Sequence, residues 1–170
     1  MYYKKNYESK IGTICLVSDG EYLTGLYFIN SKDSLKHKEL GEYKNLSIFD
    51  VTIKWLDIYF SGNVPNFTPK YKINNLTPFR KEVIDIILTI PYGSVITYGD
   101  IAKKLERKRG IKKMSSQAVG GAVGFNPICI IIPCHRVVGT NKKLVGYGGG
   151  IENKIKLLKH EKCNIDEYKL

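Results

Sequence analysis

A cysteine followed directly by a histidine is the first candidate for chemistry in this chain. Cys134 and His135 stand in the segment Ile-Pro-Cys-His-Arg-Val, and Pro133 restricts the backbone just before the thiol. A thiol reacts as its thiolate, and a neighbouring imidazole can lower a thiol pKa from about 8.5 into a range of about 3.5–7.5. The pair favours nucleophilic catalysis, although a Cys-His dipeptide alone also fits two buried structural residues.

The remaining cysteines and histidines do not have the spacing of a disulfide framework or a metal site. No Cys-X-X-Cys pair occurs, and the remaining residues of these types are few: Cys15, Cys129, Cys163, His37 and His160. We therefore expect reduced thiols of mainly structural role, no metal and no cofactor.

Charge points to a polyanionic partner. The chain has 27 Lys and Arg against 16 Asp and Glu, a net charge of +11 and a pI near 9.4. The stretch 103–113 contains seven basic residues and one acidic residue, and within it Arg107, Arg109 and Lys112 are candidate phosphate contacts. The alternatives are a solvated helix end for this stretch and, for the excess of lysine, an AT-rich genome.

The pattern of apolar residues contains neither a membrane span nor a signal sequence. No apolar run approaches the roughly 20 residues that a bilayer requires. The first five residues lead into polar ones instead of an apolar signal core. We expect an unexported, cytoplasmic protein without a membrane partner.

The first part of the chain predicts a small α/β domain. Two β-rich runs, 13–17 and 22–29, flank a Ser-Asp-Gly-Glu turn that is typical of a hairpin. Apolar residues then recur at helical spacing over 49–60. The segment 61–75 is rich in Asn, Pro and Gly, so it predicts a linker that ends a domain over 1–75.

The second part of the chain is predicted to be mainly helical. Thr77 before a proline indicates the start of one helix, and Thr97 with an aspartate three residues later indicates a capping box that starts another. Ser115 or Ser116 can cap a third helix over 117–123. The aliphatic run 128–132 is predicted to be a buried strand that leads to the Cys-His pair.

Two adjacent glycines in the third predicted helix require an explanation. Gly120 and Gly121 each cost about 1 kcal/mol relative to alanine inside a helix. Short successive helices, with small residues in the later one, favour a helix-turn-helix whose second helix lets nucleic acid approach its backbone. A glycine-rich loop is the alternative.

Several motifs in register resemble one protein family. The segment 132–137, Ile-Pro-Cys-His-Arg-Val, is similar to the active-site signature of the O6-alkylguanine-DNA alkyltransferases. The order and spacing of further segments also match that family: 90–93 with Thr97 and Tyr98, 118–122, Asn126 with Pro127, and 146–150. The resemblance is strong over about 76–162 and only general before it.

The resemblance implies an α+β fold of two domains. A ribonuclease-H-like α/β domain over 1–75 would precede a winged-helix-like domain with a helix-turn-helix over 76–170, which would contain the active site. The implied function is DNA repair, in which one alkyl group moves from O6 of guanine, or O4 of thymine, to Cys134. Minor-groove binding to double-stranded DNA and base flipping would come first, and a monomer would suffice.

The resemblance also implies catalytic roles. Cys134 would accept the alkyl group, His135 would take the thiol proton through a water, and Glu161 would polarise that histidine. Tyr98 would contact guanine at N3 and offset charge on the leaving base. The spacing of Glu161 from Leu158 independently allows the glutamate to border the inward face of the last helix.

Further residues would form the base pocket by resemblance. The carbonyls of Cys134 and Val137 would accept hydrogen bonds from the guanine amino group, and an N–H near Gly148 would donate to O6. Tyr147 would wall the pocket. Asn126 would tie the recognition region to the active-site turn by hydrogen bonds.

One position departs from the family pattern. Gln117 stands where many members have an arginine that enters the base stack, and glutamine is shorter and neutral. Arg136 is interpreted as structural or phosphate-facing. The helix residues expected at DNA are Ser116, Gln117, Ala118, Gly120 and Gly121.

Two other functions remain possible from the residues. An alkyltransferase-like protein that only binds lesions would keep the DNA surface but lack the acceptor thiol, which Cys134 argues against. A cysteine hydrolase with a Cys-His-acid triad would explain the Cys-His pair, but it would leave the basic stretch 103–113 and the glycine-containing helix unexplained.

Overall fold

The chain divides into two compact units. The computed structural model describes residues 1–36 and 41–170, so His37 lies outside the described residues. One unit consists of Met1–Asn75 and Pro127–Ile131, and the other of Leu76–Asn126 and Ile132–Leu170. Within the described ranges, no helix is both long and apolar enough to cross a membrane.

A four-stranded sheet forms the centre of the first unit. Strands β1 (Tyr2–Glu8), β2 (Thr13–Ser18), β3 (Leu23–Phe28) and β4 (Gly41–Tyr43) lie in the order β3-β2-β1-β4. β2 pairs antiparallel with both β1 and β3, and β4 runs parallel to β1. The predicted hairpin is confirmed.

Two side chains fix the turn of this hairpin: Ser18 Oγ accepts a hydrogen bond from the amide of Gly20 at 2.9 Å, and Asp19 forms two further bonds. Asp19 Oδ1 accepts hydrogen bonds from the amides of Glu21 and Tyr22, at 3.1 and 2.8 Å. Gly20 has a φ of 110°, a conformation that L side chains rarely adopt. The Asp-Gly pair therefore forms the tight turn that the sequence predicts.

Both faces of the sheet are buried at strands β2 and β3. Ile14 and Leu16 alternate along β2 with Cys15 and Val17, and all four are at most 5% exposed. Helix α2 (Ser47–Phe60), at the predicted position, packs against β2 and β3, while Cys15 and Val17 form a separate cluster with Tyr27. The short helix α1 (Lys32–Lys36) contacts β3.

The predicted linker is partly ordered against the sheet. Leu23 at the start of β3 donates its N–H to the carbonyl of Lys70 and accepts from the N–H of Lys72, both at 2.9 Å. These bonds satisfy backbone groups at the edge of the sheet. The Asn- and Pro-rich composition of 61–75 indicated the absence of regular structure but not this pairing.

Three contacting helices form the body of the second unit: α3 (Pro78–Leu88), α4 (Tyr98–Arg109) and α5 (Ser116–Gly124). Each begins where its capping residue predicts. Thr77 and Ser115 accept hydrogen bonds from the N–H groups of Arg80 and Ala118, and Thr97 forms a complete capping box with Asp100.

Two further elements complete the second unit. Helix α6 (Ile151–His160) packs against the Cys134–Arg136 turn. Strands β5 (Ile96–Thr97) and β6 (Val137–Val138) form a short parallel pair. This pair, which has too few residues to show a periodicity, joins the start of α4 to the end of the Cys-His segment.

The strand predicted over 128–132 is wrong. Only Ile128 forms a bridge, to Leu26, and the chain then reverses at Ile130, whose φ is 69°. The N–H of Ile131 donates to the carbonyl of Cys129 at 2.8 Å, which closes a γ-turn. The aliphatic run reflects complete burial, and burial alone does not distinguish a strand from tight turns.

Candidate active site

Cys134 is held in a tightly constrained turn. Pro133 has φ −81° and ψ 62°, and the amide of Cys134 donates to the carbonyl of Ile132 at 2.8 Å, as in an inverse γ-turn. Cys134–Arg136 then forms one turn of 3-10 helix. Cys134 is 6% exposed and His135 is fully buried, so both side chains have defined positions.

His135 is oriented by a buried carboxylate. Its Nε2 lies 2.7 Å from Glu161 Oε1. An ionised carboxylate only accepts hydrogen bonds, so Nε2 carries the hydrogen and a neutral ring keeps its lone pair on Nδ1. Among the described residues, the buried Nδ1 has no hydrogen-bond partner. The ring can therefore accept a proton at Nδ1.

Glu161, at the end of α6, is fixed from three sides. Arg136 binds it in a bidentate manner, Nε to Oε2 and Nη2 to Oε1, both at 2.9 Å. The amide of Gly93 donates to Oε2 at 3.2 Å, and Arg136 Nη1 also donates to the carbonyl of Ile90. Arg136 therefore points inward and has a structural position, which is one of the two roles, structural or phosphate-facing, that the sequence allows.

The charges of this cluster favour a neutral imidazole beside an ionised glutamate. Burial would raise the pKa of Glu161, but His135 and Arg136 outweigh it and hold that pKa well below its usual range. Burial lowers the pKa of His135, and Arg136 and Lys154 lower it further against the opposing effect of Glu161. At neutral pH the histidine is therefore available as a base.

Asn126 connects two parts of the second unit through its side chain. Its Nδ2 donates to the carbonyl of Ile132 at 2.8 Å and to Cys134 Sγ at 3.1 Å. Asn126 is 3% exposed and follows α5 by two residues. The structure therefore places this amide between the end of α5 and the nucleophile.

An open cavity of about 680 Å³ lies beside Tyr98 and α5. The Tyr98 hydroxyl donates to the carbonyl of Val145 at 3.4 Å. Burial, followed by the charge of Cys134, raises the pKa of Tyr98 to about 12, so the phenol remains protonated. The cavity is lined by Tyr98, Gly99, Ser116, Gln117, Gly120, Gly121, Gly139, Thr140, Val145 and Gly146.

The glycines of α5 are not required by packing within the protein. Within the described part of the chain, a Cβ atom built on Gly120, Gly121 or Gly124 would meet nothing within 4 Å outside the backbone of its own helix. Ser116, Gln117 and Ala118 in the same helix are exposed. The small residues therefore leave one face of α5 open for close approach from outside.

The basic residues named as phosphate contacts differ in their surroundings. Arg107 and Lys112 are exposed. Arg109 instead pairs with Glu82 through two 3.2 Å hydrogen bonds, and its guanidinium lies 5.3 Å from the ring centroid of Phe79. Its charge is thus already balanced by a carboxylate within this unit.

The expected pocket residues lie close to the Cys134 turn or in the loop that follows it. The N–H of Val137 donates to the carbonyl of Cys134. Tyr147 is 8% exposed, and a Cβ on Gly149 would lie 2.6 Å from its ring, so glycine allows this ring to pack closely. Gly148, between them, is half-buried.

Sequence reasoning missed Lys154, which is fully buried in α6. Its Nζ donates to the carbonyls of Val137 and Val145, at 2.5 and 3.3 Å, and burial lowers its pKa to about 8. Its helical spacing from Ile151 and Leu158 was the available signal, because that spacing places it on the inward face.

The described residues 1–36 and 41–170 contain no group of three or more His, Cys, Asp or Glu side chains that could hold a metal ion. An imidazole, a carboxylate and a guanidinium, from His135, Glu161 and Arg136, meet beside the Cys134–Arg136 turn that carries the thiol.

The fold and the site define a class of protein with a cysteine in a constrained turn and a buried His-Glu-Arg cluster beside a helix of small residues. The chain belongs to the 6-O-methylguanine DNA methyltransferase family. Residues 78–163 match the model of the DNA binding domain of that family, and residues 1–72 match its ribonuclease-like domain.

Relatives of known name match this chain over nearly its whole length and theirs. A methylated-DNA–protein-cysteine methyltransferase of Methanosarcina acetivorans is 40% identical, over 95% of this chain and 98% of the relative. One from Mycobacterium leprae is 35% identical, over 97% and 95%. The crystal structure of Mycobacterium tuberculosis O6-methylguanine methyltransferase matches with a TM-score of 0.77 and 36% identity, over 95% and 93%.

A second similar crystal structure contains DNA. The Mycobacterium tuberculosis protein in complex with DNA has a TM-score of 0.76 and 34% identity, and the match covers 98% of this chain and 94% of that one. The α+β organisation, with a ribonuclease-like part followed by a DNA-binding part, agrees with the sequence prediction.

The buried Glu161 cluster predicts a specific pH dependence of stability. Glu161→Gln should lower the free energy of unfolding at about pH 7 by roughly 3 kcal/mol, because Arg136 loses its counter-charge. Because the pKa of Glu161 is lower in the folded protein than the value near 4.5 of the unfolded chain, the ionised carboxylate stabilises the fold above about pH 4.5. This contribution is lost as the pH falls from there through the folded pKa. Urea unfolding at several pH values should show the difference between the two proteins shrinking below pH 4.5.

Glu152→Gln is the matched control, because Glu152 is exposed in the first turn of the same helix. It should change stability by only a few tenths of a kcal/mol. A wild-type advantage over Glu161→Gln that stays constant between neutral and acidic pH would contradict the assigned ionisation.

Proposed function

We propose that this protein repairs alkylated DNA by moving an alkyl group from O6 of guanine to Sγ of its own Cys134. The observation that carries the proposal is the buried His135–Glu161 pair directly behind a cysteine in a constrained turn. Relatives at 35–40% identity are named methylated-DNA–protein-cysteine methyltransferases.

The transfer is a displacement at the alkyl carbon. His135 accepts the thiol proton at Nδ1 through a bridging water, and Glu161 stabilises the imidazolium that forms. The thiolate electron pair forms the carbon–sulfur bond while the carbon–oxygen bond to O6 breaks. The electron pair of the broken bond passes into the guanine ring, where the Tyr98 hydroxyl offsets the charge by donating to N3.

The flipped base is proposed to occupy the cavity beside Tyr98. The carbonyl of Cys134 accepts one hydrogen bond from Val137 N–H, and the carbonyl of Val137 accepts one from Lys154. Each carbonyl oxygen has a second lone pair, which can accept from the guanine amino group. Tyr147 forms a wall, and an N–H near Gly148 donates to O6.

Helix α5 is proposed to enter the minor groove of double-stranded DNA, with Ser116, Ala118, Gly120 and Gly121 close to the nucleic acid. Flipping a base costs a few kcal/mol of stacking and pairing. Gln117, which lines the cavity, would fill part of the vacated stack and hydrogen-bond the orphaned partner base through its amide. It would do so without the cation that an arginine supplies.

Further aspects of the function are also proposals. The same chemistry would act on O4-alkylthymine, because that oxygen is likewise attached to a flippable base. A reducing cytoplasm suits four cysteines that form no disulfide within the described residues. The protein would act as a monomer and without a cofactor, because the nucleophile, base and orienting acid all belong to one chain.

The proposal predicts one alkyl transfer per molecule. A thioether is stable, so each protein should gain the mass of one alkyl group when it is mixed with excess duplex that contains O6-methylguanine. Intact-protein and peptide mass spectrometry should place the group on Cys134. Cys134→Ser should bind the same duplex without gaining mass. Repeated turnover would contradict the proposal and favour a hydrolase, binding of the duplex without any gain in mass would favour a lesion binder, and modification of another residue would contradict the assignment of Cys134.

The open face of α5 predicts opposite effects on stability and binding. Gly121→Ala should raise the free energy of unfolding by about 1 kcal/mol, because alanine is the better helix former and the new methyl has free space. The affinity for duplex DNA should fall about tenfold, which corresponds to about 1.4 kcal/mol, because the methyl prevents close approach. Urea unfolding and fluorescence anisotropy give the two values. Unchanged affinity in the stabilised variant would contradict the role of this face.

The basic stretch predicts a difference between its arginines. Arg107→Gln combined with Lys112→Gln should reduce the slope of log affinity against log salt by about 2, since each phosphate contact contributes about 0.9. Arg109→Gln should leave that slope unchanged and lower stability, because it breaks the Glu82 pair. Binding titrations at several salt concentrations test both variants. Equal slopes for the double variant and the wild type would place the DNA footprint elsewhere.

A further inference from the structure

The loop that follows β6, residues 139–146, has a backbone conformation that its sequence does not favour. Asn141 and Lys142 have φ values of 55° and 58°, in the left-handed region that residues other than glycine adopt at a cost in free energy. Asparagine tolerates this region better than lysine does. Such a backbone persists only where the surrounding structure holds it. We call these residues the cavity loop, because both of its ends line the cavity beside Tyr98.

The segment that follows α6 holds the strained part of this loop. The N–H of Leu144 donates to the carbonyl of Lys169 at 2.8 Å, and the N–H of Lys169 donates to the carbonyl of Lys142 at 3.2 Å. The side chain of Lys142 pairs with Glu167, and its Nζ lies 5.7 Å from the ring centroid of Tyr168. Backbone bonds on both sides of the strained residues and two side-chain contacts therefore restrain them.

The same segment is anchored in the core of the second unit. Ile165 and Tyr168 pack against a buried cluster drawn from β6, the cavity loop and α6, whose members are Val138, Leu144 and Leu158. The pair of Lys142 and Glu167 is about half exposed, and ion pairs at the surface contribute little to stability. Burial of the two apolar side chains is therefore the main anchor. Residues 165–170 thus connect this cluster to the strained loop.

The position of the cavity loop affects the groups that surround the cavity. The carbonyl of Val145 accepts the hydroxyl of Tyr98 at 3.4 Å. At the start of the loop, the N–H of Gly139 donates to the carbonyl of Lys143 at 2.7 Å, and a Cβ on this glycine would lie 3.1 Å from the Cβ of that lysine. The loop is thus closed on itself, so a change in the backbone at Lys142 would displace the cavity wall.

We propose that residues 165–170 are a strap that positions the cavity loop for alkyl transfer. The pairing at Lys169 and the packing of Tyr168 hold residues 141–142 in the left-handed conformation, and this keeps the wall of the cavity in place. The inference rests on the proposed function, in which that wall receives the flipped base. Without the strap the loop would relax to ordinary backbone angles, and the base would be held less well in front of an unchanged thiol.

The test weakens the strap within the full chain. Tyr168→Ala removes its larger anchor, and Tyr168→Ala combined with Ile165→Ala, called the released variant, removes both. Tyr168→Phe is the conservative variant, and Leu170→Ala is the matched control because Leu170 is 85% exposed. O6-benzylguanine serves as the substrate because the free base requires no DNA binding. Iodoacetamide, followed by peptide mass spectrometry, reports the reactivity of Cys134 without a bound base.

The rate of transfer from O6-benzylguanine should fall about tenfold in the released variant, because two strained residues lose the contacts that order them. The reaction of Cys134 with iodoacetamide should keep its wild-type rate. Tyr168→Ala should show a smaller decrease in transfer, and Tyr168→Phe and Leu170→Ala should match the wild type. Urea unfolding verifies that each variant is folded under the assay conditions. If the released variant is unfolded there, Tyr168→Ala alone supplies the comparison.

Substitution of Lys142 tests whether the strap acts on a strained backbone. Lys142→Gly and Lys142→Ala both remove the contacts of the lysine side chain with Glu167 and Tyr168, but only glycine adopts positive φ without a steric cost. When each is added to the released variant or to Tyr168→Ala, Lys142→Gly should restore part of the transfer rate. Lys142→Ala should restore none of it.

Three results would overturn the inference. The variants with a weakened strap could transfer as fast as the wild type, transfer and the iodoacetamide reaction could fall in the same proportion, or Lys142→Gly could restore no more than Lys142→Ala does. The second result would assign the strap to general support of the fold. Failure of the wild type to accept an alkyl group both from the free base and from duplex DNA would refute the proposed function, and this differs from each of those results.

Discussion

The carboxylate of Glu161 is the group on which the geometry of the active site depends. It accepts hydrogen bonds from His135, Arg136 and the amide of Gly93. The loop before α4, the Cys134–Arg136 turn and the end of α6 therefore meet at its two oxygen atoms. A buried carboxylate is stable only when such partners compensate for its lost hydration. The need to satisfy one charge therefore fixes the tautomer of the base, the position of Arg136 and the end of the last helix.

Features that depend on neighbouring residues could be predicted from the sequence. The starts of α3, α4 and α5 follow from Thr77, Thr97 and Ser115, because a capping side chain bonds to an amide only two or three residues away. The hairpin turn and the inward face of α6 follow from similarly local patterns. The Cys134–His135 pair was evident for the same reason, since the two residues are adjacent in the chain.

Features that depend on distant partners could not be predicted. The aliphatic run 128–132 has strand composition, yet its backbone hydrogen bonds close turns, and periodicity contains no information about where those bonds go. Arg109 is predicted as a phosphate contact from the basic stretch around it, and its pairing with Glu82, 27 residues earlier, is not evident from that stretch. Lys154 could be placed on an inward face, but its two carbonyl partners become apparent only when the loop that contains Val145 is in position.

The segment Pro127–Ile131 has a consequence for how this protein can be divided. These five residues belong to the first unit, although in the sequence they stand between α5 and the Cys134–Arg136 turn, which both belong to the second unit. The side chain of Asn126 closes this excursion by binding the carbonyl of Ile132. A chain that began at residue 76 would retain the segment without the neighbours that bury it. Recombination or domain exchange at a single boundary would therefore expose apolar residues immediately before Cys134.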